Sequence, residues 1–401
     1  MFWIFLFGAL VRILSAPLAE HGDIINYLWW SKDLVSEGLL GFYGRSIDNA
    51  MPPTYPPVTT YVFYFVGQLH RLIWEVSWFI NHRVPVFPSN FIFWLESVRG
   101  WYFVLKIPSI LSDLGIAWVI YLLVKKIVSR SRARLACTLF LFSLPFWYNS
   151  SVWGQTDSIY GFFLIVSVYL LVTRRVVLSG LFYLVSVLTK PTAFFVLPAL
   201  GIWWLKLAGV KRFVVTLILG VVAVYLLYFP FHPEGTLGWA IGFFVKGLGG
   251  ELDYMVANAF NIWGFLFGFD NRADIGLVGY IPYVVFIIPV VWWSLKAKSD
   301  DYTKQIYLLA LSAFSAFMFL PRMHERYFYL ALLLMVVLVG LKKEFWKLYI
   351  AIAGIHFMNL YHFWWVPRVG LLVNLLSNYV VEKILILSNI GLYLRYYRNE
   401  K

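Results

Sequence analysis

Twelve apolar stretches, separated by short polar loops, account for most of this 401-residue sequence. A helix that crosses a bilayer needs about 20 mostly apolar residues. The stretches lack the strict alternation of a membrane β-barrel, so they predict an all-α, polytopic membrane protein with about twelve spans in a single domain, residues 1–401. They cover residues 2–18, 102–124, 135–149, 158–173, 178–189, 192–206, 213–231, 277–295, 305–321, 327–341, 347–365 and 369–394.

Composition excludes most other classes of protein. The chain is 61% hydrophobic and 13% charged, whereas soluble domains carry about 25% charged residues. Its single cysteine, Cys137, cannot form an internal disulfide. The net charge of +13 is scattered between apolar stretches, so we interpret it as a topology signal and expect no nucleic-acid partner.

The positions of the basic residues predict the orientation. Six regions hold 19 of the 33 Lys and Arg residues and only four acidic residues, while the remaining 14 basic residues stand against 16 acidic ones. By the positive-inside rule these six regions are cytoplasmic, as are both termini. They are residues 125–134, 174–175, 206–212, 296–304, 342–347 and 395–401.

This orientation makes residues 19–101 one large external loop. Its apolar stretch 62–80 contains Gln68, His70, Arg71 and Glu75. Each charge buried in a bilayer costs about 2.5–3.5 kcal/mol, so we expect 62–80 to lie at the membrane interface rather than to span it.

Residues 178–206 must cross the membrane an even number of times, because both flanks are basic. Lys190-Pro191 interrupts this stretch, and proline ends a helix. Each arm has only about 12–15 residues, so Lys190 is expected to be recessed within the membrane, where a lysine indicates function. The alternative is a lysine that snorkels to the interface.

The first external loop opens with Glu20-His21-Gly22-Asp23, followed by an amphipathic stretch that we interpret as an interfacial helix lying on the bilayer. Asp23 would then sit at the membrane–water boundary, where a carboxylate can act as general base towards a hydroxyl. The alternative is an N-cap for that helix. A His21–Asp23 metal pair is a weak signal.

Three other external segments could line a substrate groove. Pro52-Pro53-Thr54-Tyr55-Pro56-Pro57 is rigid and forms either a groove wall or a structural turn. The second segment is Trp153-Gly154-Gln155-Thr156-Asp157, and the third is Asn258-Ala259-Phe260-Asn261-Ile262-Trp263-Gly264 within the external segment 232–275. Their indole, amide and carboxylate groups suit a sugar, although Asp157 could be an N-cap and the third segment a satisfied loop turn. Their candidate sugar-binding residues are Trp153, Gln155, Asp157, Asn258, Asn261 and Trp263.

Arg322-Met323-His324-Glu325-Arg326 combines two guanidinium groups and an imidazole at an outer helix junction. Arginine forms bidentate, charge-assisted bonds to phosphate. The alternative is a salt bridge to Glu325 with solvated arginines. Together with Asp23, this cluster predicts transfer of a group from a lipid phosphate to an acceptor hydroxyl.

The chain resembles the GT-C superfamily of polyprenyl-phosphate-sugar-dependent glycosyltransferases, above all the ALG-type enzymes that use dolichyl phosphate and their archaeal relatives. Matching pieces follow in order along almost the whole chain: the Asp23 motif, Tyr55-Pro56-Pro57-Val58-Thr59-Thr60-Tyr61, Lys106…Asp113, Tyr148-Asn149-Ser150, Lys190-Pro191, Val256-Ala257-Asn258…Trp263 and Met323-His324-Glu325-Arg326. Superfamily members often carry an acidic pair where this chain has His-Gly-Asp with Glu20 before it, and residues 153–157 look more like those of mannosyltransferases.

The resemblance implies a single inverting displacement with Asp23 as base. His324, Arg326, Arg322 and Lys190 would hold the donor phosphate, and Glu20, His21, Tyr55 and Glu325 would complete the substrate site. It implies a monomer in a prokaryotic, archaeal-type cell membrane, with its site outside and no metal cofactor. The expected partners are a polyprenyl-phosphate-linked mannose or glucose and a lipid-linked glycan acceptor. Protein O-mannosylation, or a lipid-linked saccharide flippase, are the alternatives.

Overall fold

The computed structural model describes residues 1–248, 254–269 and 275–399, and in these residues it has eighteen helices and no strand. Glu400 and Lys401, two of the residues counted in the charge partition, lie outside the described residues. The helices are α1 (Phe2–Ser15), α2 (Asp23–Glu37), α3 (Pro57–Arg83), α4 (Ser89–Glu96), α5 (Val98–Ile127), α6 (Arg130–Phe142), α7 (Leu144–Trp147), α8 (Asp157–Val172), α9 (Val176–Thr189), α10 (Leu197–Tyr228), α11 (Thr236–Leu248), α12 (Ile262–Phe267), α13 (Ile281–Lys296), α14 (Tyr302–Phe319), α15 (Tyr329–Leu341), α16 (Trp346–Tyr361), α17 (Gly370–Leu376) and α18 (Tyr379–Arg398).

The all-α prediction is confirmed, and each of the twelve apolar stretches overlaps a helix. By length and composition, three helical stretches among the described residues could each cross a membrane: 98–127, 191–228 and 276–296. Two bent pairs, 130–153 and 370–398, raise the number to five. The first pair ends in a π-helical segment, Tyr148–Trp153. The count of twelve spans stays a prediction.

The centre of the bundle is formed by α14 and α15. Every residue of α15 is buried, and so is every residue of α14 from Gln305 onward. A helix that is apolar on all sides lies in a protein core or spans a membrane, and here neighbouring helices cover both. α5, α6 and α8 supply much of that cover.

α9 and α10 form a set of three antiparallel arms. The chain breaks at Lys190-Pro191 and again inside α10 at Gly209, whose φ of 63° is in the left-handed region. The Trp204 indole donates to the Val176 carbonyl (2.9 Å), so the first arm of α10 runs back along α9. The second arm returns, because Tyr228 at its end packs with Leu188 near the end of α9. The predicted break at Lys190 is therefore confirmed.

The external loop folds into α2, α3 and α4. α3 contains the whole of the stretch 62–80, and exposed Phe65 and Leu72 suit the predicted interface. The prediction for α2 was wrong in one respect: its apolar residues pack on Phe63 of α3 and Leu105 of α5 instead of facing a bilayer. Amphipathicity shows that a face is covered but not what covers it.

α5 holds the first helix and the site-bearing segments together. Arg12 of α1 donates from Nε to Asp113 Oδ2 (2.7 Å), and both side chains are fully buried. Ser150 and Ser158 donate to the same carboxylate at 2.6 and 2.7 Å. Lys106 lies two turns before Asp113 on the same face of α5. It donates to the carbonyls of three residues that precede the site: Ala16, Ala19 and Val152.

Candidate active site

Asp23 is the first residue of α2, and Gly22 before it is the N-cap position. The N-cap alternative is therefore wrong. The Asp23 carboxylate instead reaches across the loop, where Oδ2 accepts from Arg326 Nη1 (3.0 Å) and Gln155 Nε2 (3.0 Å). The side chain keeps 30% of its surface exposed, which leaves Oδ1 available to a substrate.

Arg326 belongs to a short 3₁₀ turn between α14 and α15. The segment before it is fixed by backbone pairing with a second external loop: the Ala257 N–H donates to the Met323 carbonyl (2.9 Å), and the Arg322 N–H to that of Met255 (2.8 Å). Arg326 is 9% exposed, and its Nε is buried with no hydrogen-bond partner among the described residues. A buried guanidinium with unused donors can bind an anion.

The electrostatics set the protonation states at neutral pH. Burial favours the neutral form of Asp23, but Arg326, His21 and the Gln155 amide outweigh it and hold the pKa of this carboxyl well below its usual range. Burial lowers the pKa of His21 to about 4. Asp23 is thus ionised and His21 neutral.

His21 is enclosed by two tryptophans. Its ring lies 4.6 Å from that of Trp153 and 3.8 Å from that of Trp364, measured between centroids. Its Nδ1 accepts from the Asp23 backbone N–H and from Gln155, both at 3.1 Å. With 1% of its surface exposed, His21 is positioned to support Asp23 rather than to touch a sugar.

The predicted sugar ligands in 153–157 are used within the protein, which contradicts that interpretation. Trp153 and Gln155 are fully buried, and Asp157 forms an ion pair with Lys190. Thr156, not Asp157, is the N-cap of α8. The chain turns at Gly154, whose φ of 80° is in the left-handed region. The position requires glycine because a Cβ would lie 2.8 Å from Ile24 Cδ1.

Lys190 is buried as predicted, with 4% of its surface exposed. The rings of Tyr160 and Tyr327 lie 5.6 and 5.3 Å from its ammonium group. Lys190 is close enough to Arg326 and Asp23 for electrostatic interaction with both. Through Tyr327, the residue after Arg326, the buried lysine lies next to the Arg326 turn.

His324 and Glu325 both lie beside Arg326. Burial lowers the pKa of His324 to about 3, so it can contact a phosphate only as a neutral imidazole. Burial raises the pKa of Glu325 to about 7. Its carboxylate is 4.0 Å from Arg326 Nη1 and has no hydrogen-bond partner among the described residues, so Glu325 does not neutralise Arg326 in a close salt bridge.

Three other predicted residues, Glu20, Tyr55 and Arg322, lie at different places around the Asp23–Arg326 pair. Glu20 is exposed, with its charge near Lys106. Tyr55 is half-buried, and its hydroxyl lies 2.9 Å from that of Tyr27. Arg322 has a φ of 60° at the loop junction, and the guanidinium that reaches Asp23 is that of Arg326.

Asn258, Asn261 and Trp263 bind their own chain, so their predicted sugar contact gives way to the alternative of a satisfied turn. Asn258 Nδ2 donates to the His362 carbonyl (2.7 Å). Asn261 Oδ1 caps α12, and the Trp263 indole donates to the Phe319 carbonyl (3.0 Å). Their polar groups satisfy backbone atoms that the loop leaves unpaired.

Tyr27 and Trp364 are two residues of the site that the sequence pattern does not indicate. The Tyr27 hydroxyl donates to Gln155 Oε1 (3.0 Å), but its spacing in α2 marks it only as an apolar-face residue. Trp364 follows α16 between two residues with positive φ, Phe363 and Trp365. That strained turn is the only signal we find for it, and it is visible only in the structure.

No group of three His, Cys, Asp or Glu residues in the described ranges could hold a metal ion. Metal-independent chemistry stays a prediction.

An apolar cavity of about 660 Å³ lies between α9, both arms of α10 and α11. Leu188 and Phe194, which line it, flank Lys190 in sequence. Gly180, Gly201 and Gly220 also line it, and the absence of their side chains widens it. The cavity therefore lies in the part of the bundle that Lys190-Pro191 interrupts.

The fold is similar to that of solved structures. ArnT from Cupriavidus metallidurans, crystallised with undecaprenyl phosphate, is 15% identical with a TM-score of 0.54 over 98% of this chain and 75% of that chain. An oligosaccharyltransferase from Archaeoglobus fulgidus is 11% identical with a TM-score of 0.47 over 97% of this chain and 55% of that chain. No family model and no curated protein matches the sequence. The similarity to ArnT establishes a GT-C-type fold, as the sequence resemblance predicted.

Proposed function

We propose that this chain with a GT-C-type fold is an inverting glycosyltransferase. It moves a hexose, mannose or glucose, from a polyprenyl-phosphate donor to a hydroxyl of a lipid-linked glycan on the outer face of the membrane. The observation that carries the proposal is the meeting of Asp23 and Arg326, a general base and an anion-binding group, 3.0 Å apart in one pocket.

Asp23 has the geometry of a general base. Arg326 and Gln155 hold Oδ2, so Oδ1 can accept the proton of the acceptor hydroxyl. The hydroxyl oxygen attacks the anomeric carbon as the bond from that carbon to the phosphate oxygen breaks. A proton transfer of this kind contributes about 10²–10⁴-fold to the rate.

The leaving phosphate gains one negative charge, because a diester becomes a monoester. Arg326 and Lys190 are the cations of the site, and each has an acidic partner, Asp23 and Asp157. Preorganised cations that face developing charge stabilise the transition state more than the ground state. Neutral His324 can add one hydrogen bond.

The apolar cavity fits the lipid part of such a donor. Its lining residues Leu188 and Phe194 flank Lys190 in sequence, and its walls are almost entirely apolar side chains. A prenyl chain that leaves the bilayer for this cavity stays in apolar surroundings, so it is held there by packing against the apolar walls. The phosphate would then lie at the polar end, beside Lys190. The undecaprenyl phosphate bound to ArnT supports a ligand of this class.

Radiolabelled polyprenyl-phosphate mannose and polyprenyl-phosphate glucose, offered to the purified protein with a lipid-extract acceptor, test the proposal. We expect label in a larger lipid-linked product, with loss of the signal in Asp23→Asn. Label in a hydroxyl-bearing acceptor peptide would instead indicate protein O-mannosylation. Movement of label across vesicles without a new glycosidic bond would indicate a flippase and would overturn the proposal.

A further inference from the structure

We infer that Gln155 is a positioning residue for Asp23 and acts through a hydrogen-bonded chain that includes Tyr27 and His21. The inference rests on the proposed function, in which Asp23 is the base. It replaces the predicted role of Gln155 as a sugar ligand.

The carboxamide of Gln155 is fully used inside the protein. Its Oε1 accepts from the Tyr27 hydroxyl (3.0 Å), and its Nε2 donates to Asp23 Oδ2 (3.0 Å) and His21 Nδ1 (3.1 Å). A primary amide has two N–H groups, and both have acceptors here. The reverse orientation would point the amide oxygen at the carboxylate, so the network fixes which end faces Asp23.

The backbone around Gln155 is held equally firmly. Its N–H donates to the Asn149 carbonyl (3.0 Å), and its own carbonyl accepts from Ser109 Oγ (2.7 Å). On the other side, the Tyr55 hydroxyl lies 2.9 Å from that of Tyr27. Gln155 is fully buried. The amide that faces Asp23 therefore has little freedom to move.

His21 completes the arrangement from the other side of Asp23. Its Nδ1 accepts the Asp23 backbone N–H as well as the Gln155 N–H. A ring nitrogen that accepts two hydrogen bonds carries no proton, which agrees with a neutral imidazole. Trp153 and Trp364 prevent the ring from turning.

Gln155 differs from Arg326 in what happens when a phosphate arrives. Arg326 has a second anion to bind, whereas both Gln155 N–H groups are already directed at Asp23 Oδ2 and His21 Nδ1. Gln155 is thus the donor that stays on Asp23 Oδ2 while Arg326 is shared. It keeps the carboxylate ionised and keeps Oδ1 directed towards the acceptor.

Several charged or titratable groups surround Asp23, so a titration must separate Gln155 from all of them. They belong to four parts of the chain that meet around Asp23. These groups are His21, Tyr27 and Tyr55 of the external loop, Lys190 at the break, Asp157 at the start of α8, and His324, Glu325 and Arg326 at the Arg326 turn.

Gln155→Glu tests the inference, because it keeps the shape but removes both donors and adds a carboxyl next to Asp23. The protonation of Asp23 is followed by infrared spectroscopy on protein with carbon-13-labelled aspartate. Subtracting the spectrum of the matching Asp23→Asn protein isolates its signal. We expect the titration midpoint to rise by about one pH unit or more. Turnover should fall about 10- to 100-fold while the KM for donor changes little.

Gln305→Glu is the matched control. Gln305 is equally buried, in α14, and donates to the Lys298 carbonyl. This variant should leave the Asp23 midpoint unchanged. If Gln155→Glu fails to fold, Tyr27→Phe removes the hydroxyl that fixes the amide and should shift the midpoint in the same direction by less.

An unchanged midpoint in the folded Gln155→Glu protein, or in Tyr27→Phe where that protein does not fold, overturns the inference. The infrared measurement does not need turnover. If the wild-type protein transfers no sugar but the midpoint shifts, the positioning role stands and the proposed function fails. If the wild type transfers sugar but Gln155→Glu changes neither the midpoint nor the turnover, the proposed function stands and the positioning role fails.

Discussion

Arg326 Nη1 lies 3.0 Å from Asp23 Oδ2, so the proposed phosphate ligand is also the partner of the proposed base. A carboxylate paired with a guanidinium is a weak base. The donor phosphate competes for the same guanidinium, and sharing it would make Asp23 more basic at the moment when a base is needed. This relationship links donor binding to activation of the acceptor.

The first prediction is a difference between two pH profiles. The acid limb of kcat/KM for donor reports free enzyme, where Arg326 holds the pKa of Asp23 well below its usual range. The acid limb of kcat reports the ternary complex, where the phosphate draws on Arg326. We expect the acid limb of kcat to lie at higher pH than the acid limb of kcat/KM. Coincident limbs would show that the ion pair persists throughout turnover.

Asp23→Asn should lower turnover about 10²–10⁴-fold, because the amide cannot accept the acceptor proton. Removing the carboxylate frees Arg326, so affinity for polyprenyl phosphate should stay equal or increase. Single-turnover kinetics and a separate binding assay measure the two effects. Asp48→Asn, the same change at an exposed site, is the control. Near-normal turnover in Asp23→Asn would remove Asp23 from the mechanism.

Arg326→Ala should weaken both donor binding and turnover, since the phosphate is present in ground and transition states. A charge-assisted hydrogen bond contributes about 1.5–3 kcal/mol, which corresponds to about 10- to 100-fold in affinity. Donor affinity and turnover of Arg326→Lys should lie between those of the wild type and Arg326→Ala, because lysine keeps the charge but lacks the planar pair of donors. Exposed Arg99 provides the control, Arg99→Ala. Binding and turnover that both match the wild type would make the cluster structural.

Gly220→Phe should place a ring in the apolar cavity, where the nearest atom to a new Cβ is Leu184 Cδ2 at 3.5 Å. Overpacking an occupied apolar site costs about 1–3 kcal/mol, so long-chain donors should bind about tenfold or more weakly. Donors with one or two isoprene units should be unaffected, and Gly391→Phe, at an exposed position in α18, should change neither. Equal losses for short and long chains would place the lipid elsewhere.

Glu325 should make the protein less stable as pH rises. Its pKa is about 7 when folded, against an ordinary 4.5, so between these values the folded state binds more protons than the unfolded state. The free energy of unfolding therefore falls across this window, by about 3 kcal/mol in all. Glu325→Gln should lose this dependence and melt above the wild type at pH 8, whereas exposed Glu344→Gln should not. Thermal unfolding in detergent at pH 5 and 8 distinguishes them.

The sequence predicted the helices well, because the length of an apolar run reports directly on burial. It also placed Asp23 and the Arg326 cluster at one site, since carboxylates and guanidinium groups next to apolar segments are few. It could not tell that Gln155 and Asn261 satisfy partners within the chain. An amide has the same appearance in a sequence whether it binds a sugar or a backbone carbonyl. The contact between Trp364 and His21 could not be predicted, because only the turn after α16 brings the two rings together.

The orientation of the residues after the π-helical segment Tyr148–Trp153 depends on the number of residues in that segment rather than on its side chains. A π-turn contains one residue more than an α-turn. Deleting one residue would convert the segment to α-helix and rotate the chain beyond Trp153 by about 100°. Gln155 would turn away from Asp23, and Asp157 from Lys190. Insertions and deletions here should therefore be tolerated far less than substitutions, and the segment gives a fixed reference point for aligning distant homologues.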